Sequence, residues 1–486
     1  MKKTQFIILA IILIVAASLG FATLTGGHNW SYSDFAGYIL QAKSILAGDL
    51  DGFIAQNSIT ILESDVPVGP IAYPWGYPLL LAPIIAVMGI STLSMKILNI
   101  LFFIIFLLSL YGIASKRLPQ FECLALVAIF AFNPILIGSQ DYILSDIVFL
   151  GLSTLTIFLI DHWDAAHQSK PTHLPQIIIG IAILVSFLTR TNGLLLLPTL
   201  IAYELFFAVK HRTLKASLSR WLIPTAVFAA LWVLFSAIFP DGQSSHLEHY
   251  QDFKITQLWE FSLAYIHMGA AFFTQVPGAA IIYSIFRLFF IVGFLRKFQK
   301  NLLFSLYFFS TLLIYITWPH LQGVRFLYPI LPFFMYISVQ GMQDVATQLP
   351  EKFSKVFAIA YKGLFIFIAA AMLFTSAQAA RQNLADGRSI HGPFDEVAIE
   401  IFDVVKNQTP EESRIIFFKP RIMTLMTGRD SILILSCENL PKADYVVTNK
   451  KWEDVGQIAP EEIESCPTPL SKLYENRRFV LYKIGD

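Results

Sequence analysis

The sequence predicts an α-helical membrane protein that crosses the bilayer about eleven times and carries a small α/β domain at its C-terminal end. Three observations support this. Of the 486 residues, 55% are hydrophobic and only 14% are charged, against about 25% charged in ordinary soluble domains. Apolar runs near 20 residues long recur to about residue 376, the length that spans the hydrocarbon core of a bilayer. From about residue 380 the chain turns polar, and its apolar residues fall into short strands and one helical pattern. Two domains follow, a membrane domain over 1–378 and a soluble α/β domain over 379–486.

The net charge of +1 argues against a polyanionic partner, so no nucleic acid is expected. The chain holds no phosphate-binding loop, dinucleotide fingerprint or zinc-finger spacing. The apolar runs point to a multi-pass membrane protein, and the plasma membrane is its expected location.

The spans are expected at 5–24, 91–115, 119–138, 144–161, 175–190, 194–209, 221–239, 279–295, 302–318, 325–343 and 356–376. The first has the look of a signal peptide, with Lys2 and Lys3 before an apolar run. The run continues for nearly 20 residues and is read as an uncleaved anchor. Positive charge sets the orientation. With the N-terminus in the cytoplasm, the inner segments hold fourteen Lys and Arg residues, among them Lys116, Arg117, Lys210, Arg296, Lys297 and Lys300. The outer segments before the last span hold five: Lys43, Lys96, Arg190, Lys254 and Arg325. This bias places the C-terminal domain outside. Residues 71–90, with Pro74, Pro78 and Pro83, are apolar enough to span. Making them a span would invert the later loops, so they are read as a membrane-dipping or surface element. Irregular backbone at that depth is tolerated only where protein or a cavity covers it.

The loops at 25–90 and about 240–278 are the long outer connections. The first opens with SYSDFAGYILQAKSILAGDL, residues 31–50. Ser31 and Asp34 stand in capping-box spacing, Phe35, Ile39, Ala42 and Leu46 recur at helical intervals, and Gly48 stops the run. An amphipathic helix lying flat on the bilayer is expected here, with Asp34 in its first turn at headgroup level. On spacing alone Asp34 is a helix cap. The second long loop carries His246 and His249, then WEFSLAYIHMGAAFFTQ, which reads as another surface helix. In the tail, EVAIEIFDVVKNQ reads as a helix. IIFFK (415–419), ILILS (432–436), DYVVTN (444–449) and RFVLYKI (478–484) read as strands.

A first span, an Asp-led D-x-x-x-Y-x-x-x-A helix and a Pro-rich YPWGYPLLLAP, in that order, resemble the GT-C glycosyltransferases that use polyprenyl-phosphate sugars. Protein O-mannosyltransferases and aminoarabinose transferases of lipid A belong to that superfamily. The resemblance covers nearly the whole membrane part, and its motifs are individually loose. It implies an inverting transferase working on the extracytoplasmic face, with Asp34 as the catalytic base and no metal or other cofactor. A polyprenyl-phosphate sugar, the bilayer, and a glycolipid, polysaccharide or protein acceptor are the implied partners. In GVRFLYPILP, Arg325 and Tyr328 carry the family's donor-phosphate roles. Arg190, in FLTRTNG, ends a span on the same side and is a further candidate for the phosphate, with an interfacial anchor as the alternative. A His of the second loop, His246 or His249, matches one that touches the phosphate in aminoarabinose transferases. Tyr38 and Tyr77 are candidates for contact with the substrate.

Asp146, in QDYILSDIVFLG, sits where the family often has an acidic residue in an R-x-x-x-x-[DE] form. Here Gln140 or Asp141 takes the Arg position. Asp146 is therefore read as an Arg partner or a helix cap, and by its place in the family it is a further candidate for contact with the substrate. KPRIMTLMTGRDS resembles tail domains of bacterial GT-C relatives, with no role assigned. Cys437 and Cys466 form a disulfide if the tail is outside, and are two thiols otherwise. A lipid-sugar flippase or a glycan polymerase or ligase is the competing reading.

Overall fold

A computed structural model describes residues 3–66, 68–166, 173–242, 254–451 and 456–485. Helix dominates to residue 385, and seven helical stretches are long and apolar enough to cross a membrane. Each expected span position carries helix, though not always one unbroken rod. The third breaks after Gln120–Ala131, because Pro134 has no N–H to continue the ladder. Asn133 restarts it, accepting the backbone N–H groups of Ile135 (3.0 Å) and Leu136 (3.1 Å) to begin Pro134–Ser139. The last helix of the bundle, Glu351–Ala385, runs a few residues past the point where the sequence turns polar. Within 71–90 the helix is Gly76–Met88. Its 13 residues rise about 20 Å, too little to cross.

The Asp-led helix forms as Asp34–Ala47, and its start corrects the sequence reading. Ser31 lies outside it, Ser33 is the N-cap residue, and no side chain caps the end. Gly48 closes the helix in the left-handed region (φ 69°), a conformation that costs glycine little. Asp49 then caps a helix that sequence reading did not separate, Leu50–Leu62, by accepting the Gly52 N–H at 3.0 Å. Nor does the Asp34 helix lie open on a surface. Phe35, Ala36, Ile39 and Ala42 are wholly buried. The helix packs on Gly76–Met88 and on Pro420–Thr427 of the C-terminal domain. One apolar core joins Phe35, Ile39, Tyr77 and Leu81 to Phe417, Phe418, Ile422 and Phe479. Each such large side chain stabilises the packing by about 1.5–3 kcal/mol, so the tail is fixed to the membrane domain through this helix.

The tail is an α/β unit. Helix Glu396–Gln408 is capped by Asp395, which accepts the Ala398 N–H at 2.9 Å. Strands β1 (Arg414–Ile416), β2 (Asp430–Ile432), β3 (Tyr445–Asn449), β4 (Leu470–Glu475) and β5 (Phe479–Ile484) form a sheet in the order β2-β1-β3-β5-β4. Strands β2, β1 and β3 run parallel, whereas β5 is antiparallel to both β3 and β4. Strand β1 is shorter than the apolar run that signals it, because Phe417 and Phe418 leave the sheet for the shared core. ILILS likewise enters the sheet only as far as Ile432. Strand β4 escaped sequence reading because LSKLYE is a mostly exposed edge with few apolar residues. Cys437 and Cys466 are bonded, with Cα atoms 5.4 Å apart. Cys123 is a buried free thiol.

Candidate active site

Five chain segments converge at one end of the helix bundle: the Asp34 helix, the turn 139–146, Arg190, the short helix Val324–Leu327, and the start of Pro420–Thr427. Their charged side chains form an alternating series. Asp34, a third exposed, accepts the Tyr73 hydroxyl on Oδ1 at 2.8 Å and faces Arg325 with Oδ2 at 3.8 Å. The other guanidinium arm of Arg325 lies 3.6 Å from Asp146 Oδ2. Asp146 Oδ1 accepts Arg190 at 2.5 Å. Of the two readings of Asp146, the structure gives the arginine partner. A carboxylate at a span end is costly unless paired, and two arginines pair this one.

The guanidiniums are held by aromatic rings as well as by charge. Arg190 lies over Phe326 at 4.8 Å, and Arg325 over Phe326 at 5.4 Å and over Tyr32 at 5.5 Å. Such contacts fix a guanidinium without using up its N–H donors. Tyr38 is buried beside the charges, with its hydroxyl 3.1 Å from Ser145 Oγ. Burial pushes its ionisation up to about 12, against the opposing pull of Arg190, so at neutral pH it serves as a hydroxyl. Tyr77 packs edge-on to Tyr38 at 4.9 Å, and its buried hydroxyl has no partner among the described residues. Tyr328 bonds Ser139 at 2.9 Å rather than any of the charged groups. His246 and His249 lie outside the described residues.

Two features of the site went unread in the sequence. Tyr73, which opens the Pro-rich YPWGYPLLLAP, donates its hydroxyl to the Asp34 carboxylate. Its own hydroxyl accepts Arg421 of the C-terminal domain at 2.7 Å. Lys419 stands near enough to Asp34 to feel its charge. Burial lowers the Lys419 ammonium, and the Asp34 carboxylate opposes that. KPRIM is the visible signal, yet it lies almost 390 residues from Asp34, and no local spacing links the two.

Beneath the Asp34 helix, fully buried Lys96 donates to the carbonyls of Thr25 (3.0 Å) and Gly27 (2.6 Å) and to Asp141 (2.7 Å). Asp141 also accepts the Thr25 N–H at 2.6 Å. The acidic residue at the family's Arg position therefore anchors the loop leading into the Asp34 helix. His28 adds to this clamp. Its Nε2 accepts the Ile143 N–H at 3.1 Å, and Nδ1 meets the Asn29 carbonyl at 3.0 Å. Among the described residues, no group of three or more His, Cys, Asp or Glu is placed to hold a metal ion.

A partly exposed carboxylate that can take a proton and a guanidinium that can hold an anion stand side by side at the end of membrane helices. The architecture around it has the same fold as two solved enzymes, an ArnT and an archaeal oligosaccharyltransferase. The chain is similar to the crystal structure of ArnT from Cupriavidus metallidurans bound to undecaprenyl phosphate. The TM-score is 0.60 at 11% identity, over 99% of this chain and 98% of that one. It is also similar to the Archaeoglobus fulgidus oligosaccharyltransferase in complex with Zn and sulfate, at a TM-score of 0.59 and 12% identity. That match covers 91% of this chain and 68% of the other. AglB from the same organism, in complex with an inhibitory peptide and a dolichol-phosphate, matches at 0.55 and 12%, over 93% and 70%. No protein-family model and no curated protein matches the sequence.

Proposed function

We propose that this protein is an inverting glycosyltransferase that moves a sugar from a polyprenyl-phosphate donor to an acceptor hydroxyl on the extracytoplasmic face. The observation that carries the reading is the series Tyr73–Asp34–Arg325–Asp146–Arg190 at one end of the bundle. Tyr73 occupies Asp34 Oδ1, which leaves Oδ2 to take a proton. Asp34 removes the proton of the acceptor hydroxyl as that oxygen bonds to the sugar's anomeric carbon. The bond from that carbon to phosphate breaks on the opposite face, so the configuration inverts. Polyprenyl phosphate departs as an anion stabilised by Arg325, with Arg190 behind it. Polyprenyl phosphate, a phosphate monoester, leaves as a resonance-stabilised anion and needs no general acid.

The test uses the full-length protein in liposomes with a labelled polyprenyl-phosphate sugar and envelope extract as acceptor source. Transfer must release polyprenyl phosphate in step with label incorporation. A protein that only moves lipid-linked sugar across the bilayer relocates label without releasing the carrier, and that result would reject the proposal.

A further inference from the structure

The C-terminal domain reaches into the site through Arg421, which is buried (3% exposed) and makes three kinds of contact. It donates to the Tyr73 hydroxyl at 2.7 Å, to Asn57 Oδ1 at 3.1 Å and to the Pro70 carbonyl. The backbone is shaped for this. A Cβ at Gly69, whose φ of 122° is left-handed, would meet Arg421 at 2.8 Å, and one at Gly37 on the Asp34 helix would meet the Tyr73 ring at 2.8 Å. Tyr73 receives a hydrogen bond from a cation and gives one to Asp34, and hydrogen bonds in such a chain strengthen one another. We infer that Arg421 is a positioning residue. It fixes Tyr73, makes it a stronger donor, and so orients Asp34. This rests on the function proposed above.

The experiment compares kcat and donor KM for transfer by the full-length wild type, Arg421→Met, Arg421→Lys and Tyr73→Phe, with Asp34→Asn alongside. Arg421→Met should lower kcat by about 10–100-fold and leave donor KM nearly unchanged. Arg421→Lys should restore part of kcat. An unchanged kcat in Arg421→Met, or a loss carried by donor KM instead, overturns the inference. If that variant fails to fold, Tyr73→Phe reads the same split between kcat and KM with the same two outcomes. An active Asp34→Asn protein would instead reject the functional reading itself.

A separate observation lies at the opposite end of the bundle. Asp146 and Asp161 occupy one helix, Asp146–Ala166, about 22 Å apart. Near Asp161 a cavity of about 640 Å³ is lined by Lys116, Arg117, Lys297 and Lys300, with Gln343 and Asp344. Lys116 and Arg117 share Asp161, and Lys297 pairs with Asp344 at 2.8 Å. Lys300 has no carboxylate partner among the described residues, and the buried Gln343 Nε2 has no acceptor. Exposed Val209, Leu295 and Phe298 lie on the helices around it. The geometry points to a site for the phosphate of an anionic phospholipid headgroup, with the acyl chains along that apolar surface.

Delipidated full-length protein, titrated with phosphatidylglycerol or phosphatidylcholine and read by native mass spectrometry, tests this. Wild type should bind phosphatidylglycerol preferentially. Lys300→Glu and, without a charge change, Gln343→Leu should each weaken that binding about tenfold. Equal binding in wild type and both variants overturns the site. Displacement of the lipid by millimolar inorganic phosphate would assign the cavity to free phosphate and overturn the lipid.

Discussion

Replacing Arg325 with alanine separates its two possible tasks. In the folded protein its guanidinium lies 3.8 Å from Asp34 and 3.6 Å from Asp146 and is 28% exposed. Partly exposed pairs at such distances contribute about 1 kcal/mol or less each. Asp146 also keeps Arg190 at 2.5 Å. Arg325→Ala should therefore fold and insert, with little change in Tm. Against a donor phosphate the same guanidinium makes charge-assisted hydrogen bonds worth about 1.5–3 kcal/mol. Their loss should weaken donor binding roughly 10–150-fold. Arg325→Lys should recover only part of this, because an ammonium cannot reproduce the two-pronged contact. The assay is equilibrium binding of a labelled polyprenyl phosphate to the purified variants. Wild-type affinity in the alanine variant would refute the reasoning and leave Arg325 an interfacial anchor.

Three further outcomes follow from other parts of the structure. Burial lowers the His28 imidazole from 6.5 to about 3, so unfolded chains take up its proton first. Its contribution is fully present above pH 6.5 and is lost toward pH 3, by about 1.4 kcal/mol per pH unit. A His28→Asn protein should show a flatter Tm-versus-pH slope over that window, and an unchanged slope would contradict this. Cys437 and Cys466 close a loop with a sequence separation of 29, which by chain entropy stabilises the tail by about 3–4 kcal/mol. The pair should resist alkylation until reductant is added, whereas labelling without it would count against the bond. A C-terminal alkaline phosphatase fusion should be active if the tail lies outside, and an inactive, correctly inserted fusion would invert the topology.

Sequence periodicity located the helices because a membrane span is a local property of about 20 residues. It missed Leu50–Leu62, whose start depends on one Asp49 cap, and β4, whose residues are mostly exposed. The site was legible in part for the same reason. Asp34, Arg190, Arg325 and Asp146 announce themselves as charges at the ends of apolar runs, and the structure gathers those four together. Among the described residues, Tyr328 and Tyr77 bond no charged group, being held by Ser139 and by Tyr38 packing. Arg421 and Lys419 were invisible as site residues, since only tertiary packing of Phe417, Phe418 and Ile422 on the Asp34 helix brings them there. The same packing explains why an apolar helix face that suggests a bilayer surface is covered by protein.

Whether Asp34 is the base is decided by sugar transfer with purified Asp34→Asn protein. The Asp34 side chain does not cap its own helix, so the substitution should leave folding and insertion intact. Asparagine keeps the shape and still accepts the Tyr73 hydroxyl, but it cannot take a proton. With a polyprenyl-phosphate donor and envelope acceptor, the variant should bind donor and lose transfer by about 10²–10⁴-fold. Near-normal turnover would show that Asp34 is not the base.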